Sequence, residues 1–142
     1  MKQTEINQTA SEIKLSAKEV SDNTAKATEA SATATKKATE ATSQAELAQA
    51  QATEATAKAL EADKKAQEAL ASAGSSSTSY QNAKKEADKA KIDATTANTK
   101  ALEAKKEADR SKVEADKALA SQKVVTEKEA SINVTAGNIE LK

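Results

Sequence analysis

The stretch Ala41-Thr42-Ser43-Gln44-Ala45-Glu46-Leu47-Ala48-Gln49-Ala50-Gln51-Ala52-Thr53-Glu54-Ala55 sets alanine at 41, 45, 48, 52 and 55, with spacings that alternate between four and three. That alternation averages 3.5 residues, the period of a helix that keeps one stripe turned toward a partner. Followed toward the amino end it continues through Ala38, Ala34, Ser31, Ala27, Thr24, Val20, Ala17, Ile13 and Ala10 to Ile6. Toward the carboxyl end it continues through Ala59, Ala62, Ala66 and Ala69 to Ala73. None of these twenty slots carries a charge, although charged residues make up 31% of the chain. The reading is a heptad coiled coil written in alanine.

Composition points the same way. Aromatic residues are 1% of the 142, with Tyr80 alone, and most of the apolar fraction is alanine. Alanine burial contributes little, so the chain lacks the large side chains that would offset the entropy of folding into a globule. Proline is absent and glycine occurs only at Gly74 and Gly137. With Ala, Lys, Glu and Gln abundant, helix propensity is high over most of the length.

One composition break interrupts the pattern, Gly74-Ser75-Ser76-Ser77-Thr78-Ser79. Glycine there can take the left-handed conformation that ends a helix, and the hydroxyl residues can cap the next one. The stripe resumes at Tyr80, Ala83, Ala87, Ala90, Ala94, Ala97, Ala101, Ala104, Ala108, Ser111, Ala115 and Ala118, then decays through Gln122 to Val125. Tyr80 lies seven residues after Ala73, so the phase survives the break. This favours one continuous rod, on the order of 180 Å from Ile6 to Val125 at about 1.5 Å per residue. Chance would preserve the phase roughly two times in seven, and a hairpin folded at Gly74 is the alternative.

The charged flanks are compatible with both arrangements. Lys84, Lys91, Lys105 and Lys112 lie on one side of the second stripe and Glu86, Asp93, Glu107 and Glu114 on the other. A parallel bundle pairs Glu86 with Lys91 and Glu107 with Lys112 of a neighbour, whereas a hairpin sets Lys58 near Asp93 and Lys37 near Glu114. Exposed pairs of this kind contribute about 0 to 1 kcal/mol each and do not choose between them.

The ends carry an internal repeat. Ile6-Asn7-Gln8-Thr9-Ala10-Ser11-Glu12-Ile13-Lys14-Leu15 returns as Ile132-Asn133-Val134-Thr135-Ala136-Gly137-Asn138-Ile139-Glu140-Leu141, identical at six of ten positions. In the second copy Ile132 and Val134 alternate with polar residues, Ala136-Gly137-Asn138 is a turn signal, and Ile139 with Leu141 alternates again, which predicts a short β element. The first copy already fits the heptad and reads either as the helix start or as a β element. The expected organisation is therefore residues 1–16 as the first repeat copy, 17–73 as an alanine-rich coiled-coil helix, 74–79 as the break, 80–128 as a second coiled-coil helix and 129–142 as the second repeat copy. The expected fold class is all-α, an elongated alanine-rich coiled coil in two helical segments with a short β element at the carboxyl end.

Chemistry for catalysis is not legible. With no histidine and no cysteine, the serines and threonines have no evident activating partner, so no catalytic, cofactor or metal residue is assigned. Glu103 and Glu107 share a helix face, but Lys105 and Lys106 intervene, and solvated surface charge is the simpler account. Lys36-Lys37, Lys64-Lys65, Lys84-Lys85 and Lys105-Lys106 have acidic neighbours and no aromatic platform for stacked bases, and the 22 basic residues equal the 22 acidic ones. Neither nucleic acid nor a membrane is an expected partner. Residues 1–8 have no apolar run behind Lys2, so no secretory signal is expected, and no stretch reaches the roughly twenty apolar residues of a membrane span. Threonines spaced eleven apart, such as Thr24 with Thr35 and Thr42 with Thr53, suggest an ice-binding helix, yet the pairs lie on different stripes and the dominant period is seven.

The candidate oligomer interface is thus Ile6, Ile13, Val20, Ala27, Ala34, Ala41, Ala48, Ala55, Ala62 and Ala69 before the break, and Tyr80, Ala87, Ala94, Ala101 and Ala108 after it. Alanine leaves the strand number open, because the preferences that select it rest on branched residues. Ile6, Ile13 and Val20 gather at one end, where register is expected to be set.

The terminal segments Glu12-Ile13-Lys14-Leu15-Ser16-Ala17-Lys18-Glu19-Val20 and Ser131-Ile132-Asn133-Val134-Thr135-Ala136-Gly137-Asn138-Ile139-Glu140-Leu141-Lys142 resemble repeats in the distal tail proteins of long-tailed bacteriophages and prophages of Gram-positive bacteria. The resemblance covers about 25 residues, and the alanine-rich middle only in general character. It implies a non-enzymatic spacer or shaft segment of a tail tip or fibre, a homotrimer whose partners are other virion proteins, located in the virion tail after assembly in the host cytoplasm. The chain departs from that family in lacking a recognisable tube-attachment, receptor-binding or hydrolase module, and in that respect it looks like a fragment. Alternatives are the stalk of a Gram-positive surface adhesin, a monomeric helical hairpin of unassigned function, and a monomeric helical stress or ice-binding protein.

Overall fold

The computed structural model describes residues 2–140, with side-chain environments given for all but Val134 and residues 136–140. Two helices account for almost all of it: α1, Lys2–Ala73, of 72 residues, and α2, Thr78–Glu140, of 63 residues. No strand occurs among the described residues. Their length follows from the predominance of strong helix formers and the absence of proline. The many threonines are accommodated because their hydroxyls donate to the carbonyl four residues back, as Thr24 does to Val20 at 2.9 Å and Thr56 to Ala52 at 2.8 Å.

Gly74 ends α1. Its φ of +82° is left-handed, and its N–H donates to the Leu70 carbonyl at 3.0 Å, closing the last turn. Ser77 then opens α2. Its hydroxyl accepts from the Tyr80 N–H at 3.1 Å as an N-cap, donates to the Gly74 carbonyl at 2.8 Å, and sits beside the Ser77 N–H bond to that carbonyl at 3.2 Å. Gln81 reaches back from the first turn to the Ser75 carbonyl at 2.8 Å. The break expected at residues 74–79 is therefore a tight connection confined to residues 74–77.

The described chain divides into two compact units. The unit Thr39–Arg110 contains the connection and the adjoining parts of both helices, and takes the hairpin alternative rather than the continuous rod that the phase favoured. Asn98 of α2 meets Thr56 of α1, and Lys91 of α2 meets Asp63 of α1. As the partner in α1 moves toward the connection, the partner in α2 does too, so the helices run antiparallel here. The buried alanines of this unit fall on the stripe, Ala52, Ala59 and Ala66 on α1 and Ala87, Ala94, Ala101 and Ala108 on α2 in steps of seven, with Ala41 of α1 on the alternate row.

The other unit combines residues 2–38 with residues 111–140. Gln122 of α2 donates to Thr28 of α1, while nearer the other end Ser111 and Glu114 border the same groove as Ala34 and Lys37, so the pairing is again antiparallel. Ser31, Ala38, Ser111 and Ala115 are its buried residues.

The carboxyl-terminal β element expected within 129–142 is not seen. Residues 129–140 continue α2, and Leu141 and Lys142 lie outside the described residues. The reason is cooperativity. An isolated pair of short strands is marginal in water, whereas a helix already formed over fifty residues gains one hydrogen bond for each residue it adds. Thr135 conforms, its hydroxyl donating to the Ser131 carbonyl at 3.0 Å, and Ile132 is half-buried in phase with Val125. Of the two readings of residues 1–16, the helix start is observed, from Lys2 onward, and Met1 lies outside the described residues.

Candidate functional site

The stripe is covered inside one chain. Of the residues expected at an oligomer interface, Ala41, Ala87, Ala94, Ala101 and Ala108 are buried. Ile13, Val20, Ala27, Ala34, Ala48, Ala55, Ala62, Ala69 and Tyr80 are half-buried, and Ile6 is 54% exposed. Every buried residue of the described chain lies on the charge-free stripe, but only five of the fifteen expected interface residues are among them. What covers that face, among the described residues, is the chain's own second helix.

On α1 the deeper positions are the other set of slots. Ser31, Ala38, Ala52, Ala59 and Ala66 are all buried, with Ala52 fully covered. They belong to the same stripe but not to the expected interface, because two alternating rows of alanine give no size difference by which to rank them. On α2, Ser111 and Ala115 extend the buried row. The two buried serines cost nothing in lost hydrogen bonds, since no buried side-chain polar atom among the described residues is without a partner.

Large apolar residues do the opposite. Leu15, Leu47, Leu60, Ile92, Leu102 and Val113 are all more than half exposed, Leu60 the most at 68%. Only alanine and serine occupy the buried positions, side chains small enough to allow close helix approach where a leucine would need more room.

Polar contacts border the seam. Asn98 Nδ2 donates to Thr56 Oγ1 at 3.2 Å and to the Ala94 carbonyl at 2.8 Å, which holds the amide against its own helix while it reaches across. Gln122 Nε2 donates to Thr28 Oγ1 at 3.2 Å. Lys91 Nζ lies 3.1 Å from Asp63 Oδ1, both side chains about half exposed. Along the other border Lys58 and Asp93 line one groove and Lys37 and Glu114 another, the two pairings that an antiparallel hairpin requires. Lys58 itself is bonded to Glu54 of its own helix at 3.0 Å. Thr56, Asn98, Asp63 and Thr28 were missed as contact residues; their positions beside the core slots were legible, but only a known helix direction makes them partners.

Among the described residues no group of three or more acidic side chains is gathered in a way that could hold a metal ion, and no helix is long and apolar enough to cross a membrane. Within each unit the arrangement pairs two antiparallel helical segments in a defined register. No family model, curated protein or solved structure matches the chain.

Proposed function

We propose that the chain is a non-enzymatic structural spacer, whose helices pack as an alanine coiled coil and which serves as a shaft segment of a phage tail tip or fibre. The observation that carries the structural part is the burial pattern: small residues at seven-residue spacing face inward, charges stay off the stripe, and the larger apolar side chains face out. The tail assignment rests on the resemblance of the terminal segments, and with it come the homotrimer and the virion partners.

A second reading is favoured by one observation. The stripe is already covered by the chain's own α2, which suits a self-contained helical hairpin that works as a single chain. Light scattering and small-angle X-ray scattering across a concentration series separate the two. A stable trimer of extended dimensions supports the tail spacer. A single-chain mass at every concentration supports the hairpin and removes the trimeric shaft.

A further inference from the structure

The polar contacts that align α1 with α2 do not depend on the two helices belonging to the same chain. Asn98 with Thr56 and Lys91 with Asp63 would form equally well between α1 of one copy and α2 of another. What ties them to one chain is the connection at residues 74–77, and it is lightly built. Gly74 is the one described residue with a positive φ, and a Cβ placed on it would meet nothing within 4 Å. The rest is serine, held by short-range caps and turn bonds.

The phase adds a second observation. A hairpin places no demand on where α2 begins relative to the heptad, since a tight turn resets the direction of the helix. Yet Tyr80 follows Ala73 by seven residues, so straightening 74–77 into helix would carry the stripe through without a slip.

We propose that two copies of this chain exchange helices: residues 74–77 become helical, and α1 of each copy packs antiparallel on α2 of the other through the same alanine seam. Every cross-helix contact is retained and only the connection changes, the situation in which domain swapping costs least. Within one chain the short connection gives an effective concentration in the millimolar range, which favours the hairpin until the connection is strained or the protein is concentrated. The proposal rests on the coiled-coil packing of the preceding reading and not on the tail assignment.

The full chain has no cysteine, so the variant with Thr56→Cys and Asn98→Cys has only those two thiols. It is refolded at low and high concentration, with and without Gly74→Ala, then oxidised, run on a non-reducing denaturing gel and peptide-mapped. Gly74→Ala strains the left-handed turn and favours helix there, moving the balance toward exchange about tenfold per connection. The expected result is a 56–98 link within one chain at low concentration, and a 56–98 link between two chains at high concentration, enriched by Gly74→Ala. A 56–98 link that stays within one chain in every sample overturns exchange and leaves the seam intact. Links of 56 to 56 and 98 to 98 overturn it in favour of parallel association. No link in any sample overturns the seam itself, and the proposal with it.

Discussion

Asn98 and Thr56, forty-two residues apart in the chain, are joined by a 3.2 Å hydrogen bond from the amide of one to the hydroxyl of the other. The same amide bonds the Ala94 carbonyl one turn below, and the same hydroxyl donates to the Ala52 carbonyl one turn back. The contact therefore joins two side chains already oriented by their own helices, so little further entropy is lost in making it. In a seam of near-identical alanines, such a contact distinguishes one register from the next.

Replacing Asn98 with alanine removes that distinction at low energetic cost. The expected loss is about 0.5–1 kcal/mol, the low end for a partly exposed hydrogen bond, and alanine's better helix propensity offsets part of it. Urea unfolding followed by circular dichroism measures the midpoint. A loss above 2 kcal/mol would mean that the residue supports packing as well as register.

Ala52 and Leu60 make opposite predictions from their sizes. Ala52 is fully covered, so Ala52→Leu overfills the seam and destabilises by about 1–3 kcal/mol, although it makes the chain more hydrophobic. Leu60→Ala, at a site 68% exposed, changes stability by no more than about 0.5 kcal/mol. Thermal melts of the two variants side by side test the inward placement of small residues, and a reversed order of stability refutes it.

Ser77 anchors the start of α2 through the Tyr80 N–H. Ser77→Ala costs about 1 kcal/mol, and Ser77→Asp retains most of the cap. Hydrogen exchange should show faster exchange at the Tyr80 amide in the alanine variant, with amides around Ala101 unchanged.

Gly137 lies inside α2, so Gly137→Ala should stabilise the end of that helix by about 1 kcal/mol. Helical ellipticity should rise at elevated temperature, and amide exchange over residues 132–140 should slow. Were the segment a β turn, the same substitution would lower order there instead.

The covered face was legible in part: the stripe that avoids Lys, Arg, Glu and Asp contains every buried residue of the described chain, although Ile6 and Ala73 on it are exposed. Ala87, Ala94, Ala101 and Ala108 are found where the period puts them. The carboxyl-terminal misreading came from the opposite situation. Ile132, Val134, Ile139 and Leu141 offer a period of two over too few residues to outweigh a long helix running into them. Local alternation competes with cooperativity, and a short window cannot register the latter.

The sequence by itself determined that most of the chain is helical, that the helix is interrupted at Gly74 and which stripe carries the buried residues, because propensity, glycine placement and heptad spacing act over one or two turns and need no partner to be read. Only the tertiary structure decided what covers that face. Parallel copies and an antiparallel hairpin present the same alanine stripe and comparably favourable charged flanks, and they differ only in the course of four residues, 74–77. There the φ of +82° at Gly74 and the Ser77 cap reverse the chain, so that Asn98 finds Thr56 and Lys91 finds Asp63.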